Sequence, residues 1–123
     1  MQLPEFIDTE DQEKILQLLV DSSVHAFVRT AALRFFVNIG DPRLILWFID
    51  QCKESEGAMI GLIDEITRAI VFTKNEKFAT NLRANGFIKH LMNLLLVTKS
   101  EFLLDSICRC FNIFVIYDGN VYF

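Results

Sequence analysis

NEKFATNLRANGFIKHLMNLLLVTKSEFLLDSICRCFNIFVIYD, residues 75–118, reads as three helices forming one unit. A short helix over 76–85 closes on Asn85-Gly86, and glycine is the residue that best tolerates the left-handed turn at a helix end. A middle helix follows over Phe87–Val97, and a long one runs from about Ser100 to Tyr117. The long helix carries Cys110-Phe111-Asn112-Ile113-Phe114, and a similar phrase, Phe35-Phe36-Val37-Asn38-Ile39, sits far upstream. Recurrence of one helical unit predicts stacked layers rather than an enzyme built around a pocket, and such stacks bind other proteins.

Upstream of this unit the chain keeps helical period and helical punctuation. Thr9 with Gln12 has the spacing of a capping box and opens a helix over about 10–20, with Ile15, Leu18 and Leu19 on one face. Ser22 or Ser23 caps a second helix expected over about 24–39, which Gly40 ends. Asp41-Pro42 restarts the chain, an N-cap followed by proline at the first helical position, where its missing N–H costs nothing. That third helix frays at Lys53-Glu54-Ser55, and a fourth is expected over about 57–72. Short polar joints of this kind favour antiparallel neighbours. The reading is all-α, with about seven helices in one domain over 1–123, whether free-standing or part of a longer array.

Composition bounds the function. Apolar residues make up 52% of 123, including 12 phenylalanines, more than a soluble core of this size needs, so some are expected against another chain. A net charge of −4 and a pI of about 5.1 disfavour nucleic acid and anionic membrane surfaces as partners. No apolar run reaches the ~20 residues of a membrane span, and the start lacks a signal-peptide pattern. Three cysteines, Cys52, Cys108 and Cys110, are odd in number and lie in helical patterns, so they read as reduced core thiols of a cytoplasmic or nuclear protein. Cys108 and Cys110 are two apart on a helix and point in different directions, which disfavours a shared metal. No nucleophile–base pair or phosphate-cradling loop is evident, so neither a cofactor nor catalysis is expected.

Aligned on their charged residues, Arg34 and Arg68 give a step of roughly 34 residues, and the unit ending at Asn112 follows after roughly 40. At residues 75–118 the chain resembles an armadillo repeat. The short first helix ends at Gly86, the second closes on Leu94-Leu95, and the third places Asn112 among apolar residues. The first unit resembles the last two helices of such a repeat, while the middle one, with Phe72 near the asparagine slot, looks more like a HEAT pair. The resemblance implies an armadillo/HEAT-like right-handed α-solenoid of about three units, acting as a non-catalytic protein-interaction or scaffold module. It also implies that Asn38 and Asn112 bond the backbone of an extended ligand. The nuclear-import branch of that family carries a tryptophan four residues before this asparagine; this chain has Arg34 and Cys108 there, so basic import peptides are not expected.

Polar residues on the long helices fall into stripes. Thr30, Arg34 and Asn38 share one; Asp64, Glu65 and Arg68 lie near the equivalent face; Glu101, Asp105, Arg109 and Asn112 form a third. Stacking sets Arg34, Arg68 and Arg109 in a ladder, with Asp64 and Asp105 each four residues before an arginine. Two readings stay open: a solvated face with i,i+4 ion pairs of about 0.3–0.5 kcal/mol each, or a partner groove in which Thr30, Arg34, Asn38, Asp64, Arg68, Asp105, Arg109 and Asn112 engage a peptide. Gly61 within a helix suggests close approach of a neighbour. Trp47 is expected in the core. The apolar last helix needs a cover: the tail as a lid, further repeats, or self-association through that helix. A second architecture with a different function is a compact bundle that takes a partner's amphipathic helix into an apolar groove.

Overall fold

In the computed structural model residues 9–20, 25–73 and 76–118 are described, and among them the chain is all-helical. Seven helices follow in order: α1 Thr9–Val20, α2 Ala26–Ile39, α3 Pro42–Cys52, α4 Glu56–Thr73, α5 Glu76–Ala84, α6 Phe87–Val97 and α7 Glu101–Asp118.

The helix ends follow local chemistry. Gly40 takes φ 74° and donates its N–H to the Val37 carbonyl at 3.0 Å, closing α2. Asp41 then accepts from the Arg43 N–H at 2.9 Å, with Pro42 in the first helical position. Gly86 at φ 89° turns α5 into α6, and its N–H reaches the Arg83 carbonyl. Ser55 Oγ accepts from the Ala58 N–H, which starts α4 at Glu56, one residue earlier than the sequence suggests.

The start of α2 differs from expectation. His25 is its N-cap, and Nδ1 accepts the Phe27 N–H at 3.1 Å while the imidazole stacks on the Phe27 ring. A neutral imidazole nitrogen carries a lone pair and serves as a cap acceptor as a carboxylate does. The expected caps, Ser22 and Ser23, lie outside the described residues. Thr9 is already helical, and the side chains of the proposed Thr9–Gln12 box also lie outside them.

Paired positions fix how the helices run. Added Cβ atoms at Gly57 and Gly61 would meet Arg29 and Leu33, and Arg34 bonds Glu65, so α2 and α4 run parallel. Glu56 accepts from Ser100, Asp64 pairs with Arg109, and Thr67 lies beside Cys110, so α4 and α7 run parallel too. The long helices α2, α4 and α7 thus form one row with α4 in the middle. Helix α3 packs on α1 and α6, forming a second row, and α5 fills between α4, α6 and α7. Helix α4 packs on α1, α2, α3, α5 and α7, which explains why Ile63, Ile66 and Ile70 are fully buried. Burying each such side chain contributes about 1.5–3 kcal/mol. Trp47 and Phe48 join the core, with Phe48 edge-on to Phe36 at 4.8 Å.

Gly61 lets this row close up. A Cβ there would stand 2.8 Å from Leu33 Cδ1, nearer than a methyl tolerates, so α2 seats against bare backbone. None of the described helices is long and apolar enough to cross a membrane.

Candidate functional site

The row brings the sequence-predicted ladder together, with different pairings. Glu65, on α4 and only 7% exposed, accepts from Arg34 through Nε and Nη2, both at 3.2 Å, a forked bond across to α2. The same carboxylate accepts from Arg68 Nε at 2.8 Å within α4. Asp64 therefore does not pair with Arg68 as its spacing suggests. It reaches Arg109 on α7 at 3.6 Å, and Arg109 also contacts Asp105 at 3.1 Å, the one i,i+4 pair that forms as read. The reason is geometric: Asp64 and Glu65 are adjacent on α4, so one faces α7 while the other faces α2 and Arg68.

Glu65 is thus the hub of the site, although the sequence placed it only near the face. Burial, the largest single influence, opposes its ionisation, but the bonds from Arg34 and Arg68 outweigh that and hold its pKa below the ordinary carboxylate range. In return the Glu65 bond raises the Arg34 pKa, so both partners stay charged at neutral pH. The arrangement ties α2 to α4 and α4 to α7 along one face. Thr30, Asn38 and Asn112 are exposed beside it. All eight predicted residues lie on the three long helices, but the arginines are partnered internally and are not bare cations awaiting a ligand.

What the sequence reading missed is aromatic. Phe27 (80% exposed) and Phe102 (77%) each precede a ladder arginine, Arg34 or Arg109, by seven residues, two helical turns on the same stripe. Phe72 (75%) follows Arg68 by four. The i,i+7 spacing is visible in the sequence, and the excess of phenylalanine points to some facing another chain, but in helices this apolar the composition alone does not say which ones.

A cleft of about 840 Å³ opens elsewhere, between the end of α3, the start of α4, α6 and the α6–α7 joint. Buried Ile49, Leu94 and Leu103 line it, with Lys53, Glu56 and His90 among its polar residues. It shares no residue with the ladder. The thiols do not form a set: Cys52 and Cys110 are buried, and burial pushes their pKa up to about 11 and about 12, whereas Cys108 is exposed. The expectation of three core thiols therefore holds for two, since Cys108 lies on the side of α7 away from the core. Among the described residues no group of three or more His, Cys, Asp or Glu side chains is placed to hold a metal. No protein-family model, curated protein or solved structure matches this chain.

Proposed function

We propose that the two rows are a short right-handed α-solenoid of the armadillo/HEAT type, and that its α2–α4–α7 face is a non-catalytic docking surface for a partner protein. The observation that carries the reading is the company the ladder keeps. Three phenylalanines, each three-quarters exposed or more, share its stripes with Arg34, Arg68 and Arg109. Aromatic side chains and arginine are the residues most enriched at protein interfaces, where they anchor a partner in desolvated spots. Water-exposed phenylalanine, by contrast, leaves most of its apolar area unburied and adds little to the stability of the isolated chain, the stacking of Phe27 on the capping His25 aside.

The partner this surface suits is a protein segment with apolar side chains for Phe27, Phe72 and Phe102. Asn38 and Asn112 offer amides to its backbone. Internal pairing makes the arginines pre-organised donors whose remaining N–H groups take partner carbonyls or carboxylates without first being ordered. Parallel neighbours joined through short antiparallel links support the solenoid reading, since an up-and-down bundle sets sequential neighbours antiparallel instead. An intracellular setting suits the unpaired thiols.

The central position of α4 favours a second reading, a compact bundle that holds a partner's amphipathic helix in the cleft. One experiment separates the two. The whole chain is immobilised and its captured proteins are compared with those of Phe27→Ser/Phe102→Ser and of Val97→Lys, an exposed residue lining the cleft. The docking-face reading predicts that a reproducible partner is lost with the phenylalanine variant and kept with Val97→Lys, at unchanged melting temperature. The reverse pattern supports the cleft, and retention by both variants overturns the docking face.

A further inference from the structure

Asn85-Gly86 is the one Asn-Gly pair in the sequence, and it forms the turn between α5 and α6, with Asn85 exposed. Such a pair is predisposed to react with itself. Glycine carries no Cβ to shield its backbone nitrogen, so that nitrogen approaches the side-chain carbon of the preceding asparagine with least hindrance. Nothing stands within 4 Å of where a Gly86 Cβ would lie, so no neighbouring element blocks the ring that this attack closes. The hydrogen bonds of the turn oppose it. The Gly86 N–H, whose proton must leave, donates to the Arg83 carbonyl at 3.0 Å. Asn85 Nδ2, the leaving group, donates to the Asn81 carbonyl at 2.7 Å, and the Asn85 backbone N–H donates to the same oxygen at 3.1 Å.

We propose that Asn85 is a deamidation site held shut by the α5–α6 turn: opening of the turn admits the reaction, and the product keeps the turn from re-forming as it was. The Gly86 nitrogen attacks Asn85 Cγ. The N–Cγ bond forms, the Cγ–Nδ2 bond breaks, and ammonia departs with the proton that Gly86 gives up. Water then opens the five-membered imide at either carbonyl, leaving aspartate or isoaspartate at position 85. Water is the one co-reactant, and nothing is oxidised or reduced. The product suits the turn badly for three reasons. A carboxylate has no N–H for the Asn81 carbonyl and turns an oxygen toward it instead. It adds negative charge at the C-terminal end of α5, where the helix dipole disfavours an anion. Isoaspartate also inserts a methylene into the main chain directly before Gly86, whose φ of 89° sets the entry to α6. The next residue, Phe87, is fully buried with its ring 5.5 Å from that of Phe114, so a displaced turn is felt in the core. The site shares no residue with the ladder, and the proposal is independent of the docking reading.

The test incubates the full chain in mildly alkaline buffer, folded and unfolded in urea, and follows Asn85 by peptide mapping with mass spectrometry. Conversion at Asn85 is expected to be more than about tenfold slower in the folded chain, because the reaction waits on local opening. Ion exchange then separates converted from unconverted chain after refolding, and the isoaspartate form is expected to melt lowest. Asn85→Asp supplies the charge without the added methylene and is expected to melt between that form and the wild type. The converted wild-type chain is itself a sample, so the result does not hang on the variant folding. Equal rates with and without urea overturn the proposal, since the turn then protects nothing. So does an Asn85 that stays intact in urea, or a converted chain that melts with the unconverted one.

Discussion

Glu65 shows how one side chain fixes the character of a surface. It is buried, charged and held by two arginines from two directions. Removing it leaves Arg34 and Arg68 without their carboxylate, and Glu65→Ala should cost about 1.5–3 kcal/mol in urea unfolding, the range for hydrogen bonds to charged groups. The pH dependence has a definite sign. A carboxylate whose folded pKa lies below its unfolded value, about 4.3, contributes stability that is fully present above the unfolded value. That contribution is lost as pH falls through the folded one. The stability gap between the wild type and Glu65→Gln should therefore be widest near neutrality and narrow below about pH 4; a gap that is constant from neutral to acid pH contradicts the assignment. Asp41 is a simpler case, its pKa held down chiefly by the Arg43 side-chain bond while its carboxylate also accepts the Arg43 N–H. Asp41→Ala should cost about 0.5–2 kcal/mol as a lost N-cap. Asp41 was legible in the sequence because capping depends on near neighbours alone. Glu65 as hub was not, because its partner Arg34 is 31 residues away and the choice between Asp64 and Glu65 rests on how α4 is rotated.

At the scale of elements, the contact of α2 with α4 depends on Gly61. Leucine at this position should overpack against Leu33 and destabilise by about 1–3 kcal/mol. Pairing Gly61→Leu with Leu33→Ala restores the space, so the double variant should lose less than the sum of the two single losses, as a thermal or urea double-mutant cycle reads directly. Additive losses contradict the close approach. The helices themselves were largely legible: α6 falls where the sequence places it, and α3, α5 and α7 end within a residue or two of expectation, because glycine, proline and polar joints mark those boundaries. The start of α2 was not, since histidine serves as a cap too seldom to be read from sequence. The resemblance to armadillo units pointed to Asn38 and Asn112, both of which are exposed on the long helices.

In the whole molecule α2, α4 and α7 lie parallel, side by side, as a single face. Its ladder, and the place of the exposed phenylalanines beside it, follow from that order. Hydrophobic periodicity predicts helices and their buried sides, but it does not say which helices become neighbours across intervening chain; the pairs Arg34–Glu65 and Asp64–Arg109 carry that information. The most direct test is a set of spin-label distances between α2 and α7 in a dilute Cys108→Ser background. Labels replace Phe27 with Phe102, Asn38 with Asn112, and the crossed pair Phe27 with Asn112. With α4 between them, the two like-end pairs should lie roughly 16–20 Å apart at the backbone, twice the 8–10 Å helix spacing, and the crossed pair should be longer than either. A crossed pair shorter than the like-end pairs would mean that α2 and α7 run in opposite directions, and the single face would not exist.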